Sequence, residues 1–577
     1  MEKRAVIAIA LSFIVLLGWY WLFPAPKPSA PATPPVAGSR AAPAPVAPAA
    51  PKPAEPTAVA AASEPGPTAR AVAAEKAETI RVETAVCEVV LTNKGGRVLS
   101  WRLKGYSDSA DQPVELVPAY AERDDLLPLG LDLDDAALAK SLNGALFSVE
   151  RTPLPASSAA PGERIRFSWA DGKGIEAEKV LVFRKDDYLA DLSIAVTDRG
   201  RPLPARVTWG PGFEARDPSQ GSRQLHYIGQ AVVDIGGVVS RTARGRIKQD
   251  VTIPESGALR WAGLEEQFFA ALVMPAGGRG GALIRQIGVV PERSASSATD
   301  SKEAKPEPQL VMAVGVPSEG ARLYVGPKKY TLLRKLGGDL DAVVWFSSYR
   351  PIYWLAKYLF LALLWVHDHV APNYGLAIIL ATVALRLVFF PLNQYSMVNM
   401  RKMQSQMQRI QPKINAIKAK YKKMKDAQGR AKMNEEMMAL YRKEGVNPMG
   451  GMSGCLPMLV QFPILIAFYN MLTVAVELRS APFVGWIRDL TLKDPFYVTP
   501  ILMGATMFLQ QKMTTTKAGD PMQQRMMTMM PVVFTVMFLN LPSGLVLYWF
   551  VNNLLGIGQQ WLVNRHIGRL EAAAQKA

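Results

Sequence analysis

The sequence predicts a polytopic α-helical membrane protein. Six transmembrane helices are expected, five of them in a C-terminal core, with a large exported all-β domain after the first. Three observations carry this. Hydrophobic residues make up 49% of the 577 and charged residues only 20%, too few for a disordered or nucleic-acid-coating chain. The net charge of +17 is unevenly spread: residues 23–345 hold 39 basic and 38 acidic residues, whereas residues 398–449 hold 13 and 4 between two apolar runs. That is the distribution of the positive-inside rule. Residues 79–341 alternate apolar and polar in short runs punctuated by turns, a β texture. Two cysteines, Cys87 and Cys455, exclude a disulfide scaffold, and four histidines without HExxH-type spacing point away from a metalloenzyme. No metal, cofactor or catalytic residue is expected.

Residues 1–23 are expected to anchor the chain. Lys3 and Arg4 precede 19 uncharged residues, AVIAIALSFIVLLGWYWLF. These span roughly 28 Å as a helix, close to the hydrocarbon core. A cleaved signal peptide is the other reading. The run exceeds a signal-peptide core and ends in Trp19-Tyr20-Trp21, with Pro24, Pro26 and Pro28 where a signal peptidase needs an extended small-residue site, so an uncleaved anchor is preferred. Residues 24–78, rich in Pro and Ala, read as a semi-rigid linker.

In the β region, residues 81–90 and 98–103 read as strands joined by the turn Asn93-Lys94-Gly95-Gly96. Residues 164–169 and 179–183 flank a second turn, Asp171-Gly172-Lys173-Gly174. Further runs at 189–196, 268–273 and 310–316 suggest a large antiparallel sandwich. No nucleophile elbow, phosphate loop or paired-carboxylate signature lies there, so a structural or docking module is expected.

Residues 351–365 form an apolar run of about 15 residues, interrupted by Lys357. A second run, 375–392, follows. If both spanned, the basic block would lie outside, so residues 345–371 are placed flat on the outer interface as an amphipathic helix. Further spans are expected at 456–476, 497–511, 526–541 and 544–563, completing a core over 374–563. Both termini, the basic block, the 512–525 loop and the basic tail 564–577 are then cytoplasmic; the charge-neutral 477–494 loop is outside.

Arg386 sits mid-span with no Asp or Glu in any expected span to pair with it. Such a charge costs about 3 kcal/mol on the insertion scale. It either snorkels to the interface or faces a water-filled groove. Thr382, one turn earlier, extends the polar face. Gln461, Thr506 and Gln510, and Tyr548 and Asn552, add polar groups that are either interhelical glue or groove lining. The runs at 497–511 and 526–541 hold about 15 and 16 residues, roughly 23 Å of helix against a core of about 30 Å, which would thin the bilayer locally.

In the cytoplasmic block, Met403, Met407, Ile410, Ile414, Ile417, Tyr421 and Met424 recur every 3.5 residues on average. Asp426-Ala427-Gln428-Gly429 reads as a turn, and Met433, Met437 and Leu440 continue the seam. An antiparallel helical hairpin over 397–445 is expected, bent at Pro412, with Lys418, Lys420, Lys422, Lys423, Lys425 and Arg430 on its basic outside. Of 24 methionines, 21 lie between Met397 and Met537, suited to a promiscuous apolar client or to core filling.

The chain resembles a known family through LYRKEGVNPMGG, CLPMLVQFPILIAFYNML, VELRSAPFVGWIRDL, DPFYVTPILMGATMF, DPMQQRMM, LPSGLVLYWFVNN and the arginine before FPLN. The family is the YidC membrane protein insertases, with their mitochondrial and chloroplast relatives. The match is strong over residues 345–563, and the anchor with its large exported domain resembles the Gram-negative branch, where that domain is a β-supersandwich. The resemblance implies insertion of nascent inner-membrane proteins, alone or beside the SecYEG and SecDF translocon. It implies a five-helix insertase core around a groove open to cytoplasm and lipid. Arg386 and Thr382 match the family's groove positions. The aromatic pair reads Tyr548-Trp549, where close relatives often have two tyrosines, which leaves open which one meets the client. The basic hairpin would recruit the client, or the ribosome and signal-recognition machinery; no sequence-specific nucleic acid and no nucleotide is expected. A transporter or channel is the other class considered, but it needs intramembrane carboxylates or inverted repeats, and neither is present. An exported sugar- or peptide-binding domain would leave the later spans superfluous.

Overall fold

The computed structural model describes residues 71–108, 111–155, 161–213, 229–247, 249–255, 258–289, 307–421, 427–445, 456–514 and 521–576. The expected anchor 1–23 and most of the linker lie outside them. The chain divides into two compact units, the second beginning in the main at Pro327.

Among its described residues the first unit holds three antiparallel sheets of four, ten and five strands. The four-stranded sheet starts with Thr79–Glu83, Cys87–Thr92 and Arg97–Ser107. The single run expected over 81–90 is thus two strands. Thr84 breaks it, because its Oγ1 accepts from the Cys87 N–H at 2.9 Å and closes a local turn. The next turn forms where expected, with Gly95 and Gly96 both at positive φ. A Cβ at Gly95 would lie 2.6 Å from the Asn143 carbonyl oxygen, so glycine is needed there for space as well. The ten-stranded sheet includes the hairpin Gly162–Ala170 and Ile175–Arg184, whose turn is tied by Asp171 Oδ1 accepting from the backbone of Lys173, Gly174 and Ile175. Lys179, fully buried in that hairpin, donates Nζ–H to the carbonyls of Gly95, Gly96 and Leu129. Burial pushes its ammonium down to about 7. One buried side chain therefore pins two loops to the sheet.

The second unit is helical: α1 (Arg350–His369), α2 (Tyr374–Val388), α3 (Phe390–Lys420), α4 (Ala427–Lys443), α5 (Leu456–Val474), α6 (Val498–Thr514), α7 (Pro521–Phe538) and α8 (Ser543–Lys576). α1 lies within the 345–371 expected for the amphipathic helix and extends the 15-residue apolar run to 20 residues. It buries Ile352, Ala356, Leu359, Phe360 and Leu363 and exposes Trp354, Tyr358 and Trp365. α2 is started by Asn373, whose Oδ1 accepts from the Leu376 N–H at 3.0 Å. The expected run 375–392 is broken at Phe389, between α2 and α3, just ahead of Pro391 at the first turn of α3. No single described helix is long and apolar enough to cross a membrane alone; the bent pair α2 and α3 is so jointly, with 62° between its halves.

α6 and α7 have 17 and 18 residues, longer than the apolar runs within them. At about 26 Å each the helices exceed their apolar runs, and the apolar length that sets hydrophobic mismatch is unchanged. The polar ends simply continue the helix. They approach closely where a Cβ on Gly504 would lie 2.0 Å from Thr535 Oγ1. The loop before α6 is organised by Asp494, which accepts from Trp486 Nε1–H, the Phe496 and Thr499 N–H groups and the Thr499 hydroxyl. Burial alone would raise its pKa; these donors, led by Thr499, hold it below the ordinary carboxylate range.

The hairpin core is Ile410 and Ile414, with Met407, Met437, Leu440 and Tyr441 packed against them. Lys413–Glu444 and Lys420–Glu436 ion pairs join its arms. The turn read at residues 426–429 is corrected in part: Ala427, Gln428 and Gly429 already belong to α4, because Ala and Gln favour helix and one glycine is tolerated.

Candidate functional site

The site grows from the faces of α2, α5, α6 and α8. Arg386 is half-buried near the end of α2, and its NH2 donates to the Asn552 carbonyl at 2.8 Å. Its buried Nε has no partner, and no carboxylate pairs with it among the described residues. The guanidinium is therefore held but not neutralised. Asn552, 9% exposed, supplies its backbone oxygen rather than its side chain to Arg386.

Gln461 on α5 donates Nε2–H to the Tyr548 hydroxyl, and the Tyr548 ring stacks on Phe468 at 4.2 Å. Trp549, one residue on, turns the other way and packs on Phe534 and Phe538 of α7 at 6.3 and 5.6 Å. Adjacent helix positions diverge by about 100°, which separates the pair. Tyr548 lies one turn before Asn552, on the Arg386 side; Trp549 belongs to the apolar cluster of Met503, Phe538 and Val546.

Thr382 departs from its expected place as groove lining. It is 1% exposed and donates its hydroxyl to the Ile378 carbonyl at 2.6 Å, a bond inside its own helix. Thr506 likewise donates to Met503 O at 2.8 Å and accepts a long 3.5 Å contact from Asn553 Nδ2. Gln510 and Arg386 both approach Gly556: a Cβ there would lie 2.6 Å from Gln510 Nε2 and 2.8 Å from Arg386 NH2. Gly556 thus leaves the space that both side chains border.

Gly556, Asn553, Gln559, Arg401 and Asn564 were not singled out from sequence. The signal was there in the spacing of Asn552, Gly556 and Gln559 along an apolar run. Gln559 Nε2 donates to Gln394 Oε1 at 3.4 Å and to Phe390 O at 3.5 Å; Arg401 NH2 donates to Asn564 Oδ1 at 2.6 Å and Met513 O at 2.8 Å.

In the hairpin, Met403 is half-buried, Met407 and Ile410 form the seam, and Lys418 and Lys420 lie on the exposed side. Lys422, Lys423 and Lys425 fall outside the described residues, and Arg430 falls on α4. Among the described residues no group of three or more His, Cys, Asp or Glu is placed to hold a metal.

The polarity of this unit is inverted. Polar groups such as Thr382, Asn552, Asn553, Gln559 and Gln560 are buried, whereas Ile501, Leu502 and Leu509 on α6 and Val532, Val533 and Val536 on α7 are exposed. Water does not favour such a surface, and lipid does. A β unit joined to helices of this kind defines a membrane-embedded protein with a folded extramembrane domain. The comparisons agree. The family model described as "60Kd inner membrane protein" matches residues 365–570, and "YidC periplasmic domain" matches 79–362. A "Membrane protein insertase YidC" of Geobacter metallireducens is 36% identical over 99% of this chain and 100% of its own length. One of Syntrophus aciditrophicus is 34% identical over 98% and 100%. The solved "Active YidC insertase crystal structure with the first transmembrane domain resolved" is similar at TM-score 0.36 and 19% identity, covering 85% of this chain and 93% of that one. The chain belongs to the YidC family of membrane protein insertases.

Proposed function

We propose that this protein inserts inner-membrane proteins and helps them fold, by giving a polar segment of the client a groove and its apolar segment a path into lipid. The observation that carries this is Arg386: a guanidinium held by neutral oxygen, beside Gln510, Asn552, Gln461 and Tyr548, in helices whose other faces are apolar and exposed. A positive charge kept in reach of polar groups and left without a counterion draws a carboxylate. The client's short acidic or polar outer segment enters from the cytoplasm. Its apolar segment then leaves along α5 and α7, and transfer of about 20 apolar residues to lipid drives the step. No bond is made or broken in this scheme.

Six spans, both termini inside and the β unit in the periplasm complete the reading, supported by the placement of basic loops. The basic hairpin recruits the client or the ribosome with its signal-recognition machinery, and the core acts alone or beside the SecYEG and SecDF translocon. A polytopic channel or transporter is the competing reading.

Thiol accessibility separates them. Single cysteines at positions 386, 506 and 552 in a cysteine-free background are labelled with a charged reagent from each side of a bilayer. Labelling from the cytoplasm alone is expected. Labelling from both sides means a pore, and no labelling makes the polar residues interhelical glue.

A further inference from the structure

We propose that Arg401 is a second cationic station for the client, at the cytoplasmic mouth of the groove, and that it receives the acidic outer segment before Arg386 does. The inference rests on the insertase reading. Arg401 lies on α3, half-buried, and its NH2 donates to two neutral acceptors, Asn564 Oδ1 at 2.6 Å and Met513 O at 2.8 Å. Its buried Nε has no partner, and among the described residues no carboxylate neutralises it. It therefore repeats the arrangement of Arg386: a partly desolvated guanidinium fixed by neutral oxygens. A mere tie between α3, α6 and α8 requires only neutral donors. Keeping a full charge there adds a desolvation cost with no counterion to offset it, which suits a transient anionic partner.

α8 connects the two stations. Its Asn552 carbonyl holds Arg386, and its Asn564, twelve residues on and itself held by Gln560 Nε2–H at 2.9 Å, holds Arg401. Twelve residues of helix cover about 18 Å. Gly556 and Gln559 lie between, the first leaving room and the second an amide. Across about 18 Å, one carboxylate can hydrogen-bond only one of the two arginines at a time. An extended segment covers that distance in five or six residues at about 3.3 Å each. Two carboxylates so spaced can engage both stations at once.

The test uses the full chain in vesicles with three clients that differ only in the outer segment: neutral, one acidic residue, or two acidic residues six apart. Arg401→Gln is expected to slow insertion of the acidic clients roughly twofold to tenfold more than that of the neutral client, most for the pair. Arg401→Lys, which keeps the charge but not the fork, is expected to retain most of the acidic preference. Equal slowing of all three clients, in both variants, overturns the proposal and makes Arg401 a positioning residue for α3. An unchanged rate for the acidic clients in Arg401→Gln overturns it too. If the unaltered protein inserts none of the clients, the insertase reading fails instead.

Discussion

A buried guanidinium keeps its proton, whereas a buried carboxyl can take one up and shed its charge. Glu477, just past α5 in the loop proposed to lie outside, follows the second course. Burial pushes its carboxyl up to about 7, against an ordinary 4.5, with Oε1 accepting from the Tyr330 N–H at 3.0 Å and Oε2 without a partner. Between those values the folded chain binds more protons than the unfolded one, so stability falls as pH rises. The contribution is complete below 4.5 and is lost as pH climbs through about 7. The melting temperature of the helical unit is therefore expected to drop between pH 5 and pH 8, and Glu477→Gln to flatten that slope. A slope that survives the substitution assigns the titration to another group. Asp494, in the same loop, has the opposite shift because four donors reach its two oxygens.

Helices whose outer faces are apolar gain little from apolar contact with each other in lipid, so they depend on close approach and internal hydrogen bonds. α6 and α7 meet at Gly504 and Thr535, and Thr535 Oγ1 also donates to the Pro531 carbonyl at 2.7 Å. A methyl on Gly504 would sit 2.0 Å from that hydroxyl. Gly504→Ala should thus destabilise the unit by about 1–3 kcal/mol, read as thermal unfolding in lipid or detergent. Adding Thr535→Ala should recover most of the loss; no recovery would place the strain elsewhere. Neither residue was marked in the sequence, because which glycine faces a neighbour depends on helix packing. What the sequence did carry was local. The Asn93–Gly96 and Asp171–Gly174 turns were readable because Asn, Asp and Gly act within four residues. The seam through Met407, Ile410 and Ile414 was readable by its period. Arg386 stood out as a charge in an apolar run. The break at Phe389 had a local signal in Pro391, whereas the inward bonding of Thr382 was not readable, because it is a choice between a hydroxyl's own helix and its neighbours. Gly556 needed Gln510 and Arg386 to be seen together.

At the scale of the whole chain, charge placement and fold make one prediction. The β unit lies in a region with 39 basic and 38 acidic residues, so nothing in its charge opposes export. The hairpin lies in a block of 13 basic and 4 acidic residues and joins helices with exposed apolar faces. Moving that block across a bilayer would desolvate many cations at once, which favours its staying on the side where it is made. The two tips should therefore label from opposite sides. Lys173 is exposed at the turn after Gly162–Ala170, and Gln428 is exposed at the start of α4. With Cys87 and Cys455 replaced, Lys173→Cys should react with an impermeant maleimide in intact spheroplasts. Gln428→Cys should react only in inverted vesicles. Neither substitution touches the groove, so insertion activity should persist and report that the labelled protein is folded. Labelling of both tips from one side would overturn the proposed topology, in which α1 is interfacial and the α2–α3 pair spans, and would make residues 351–365 a span.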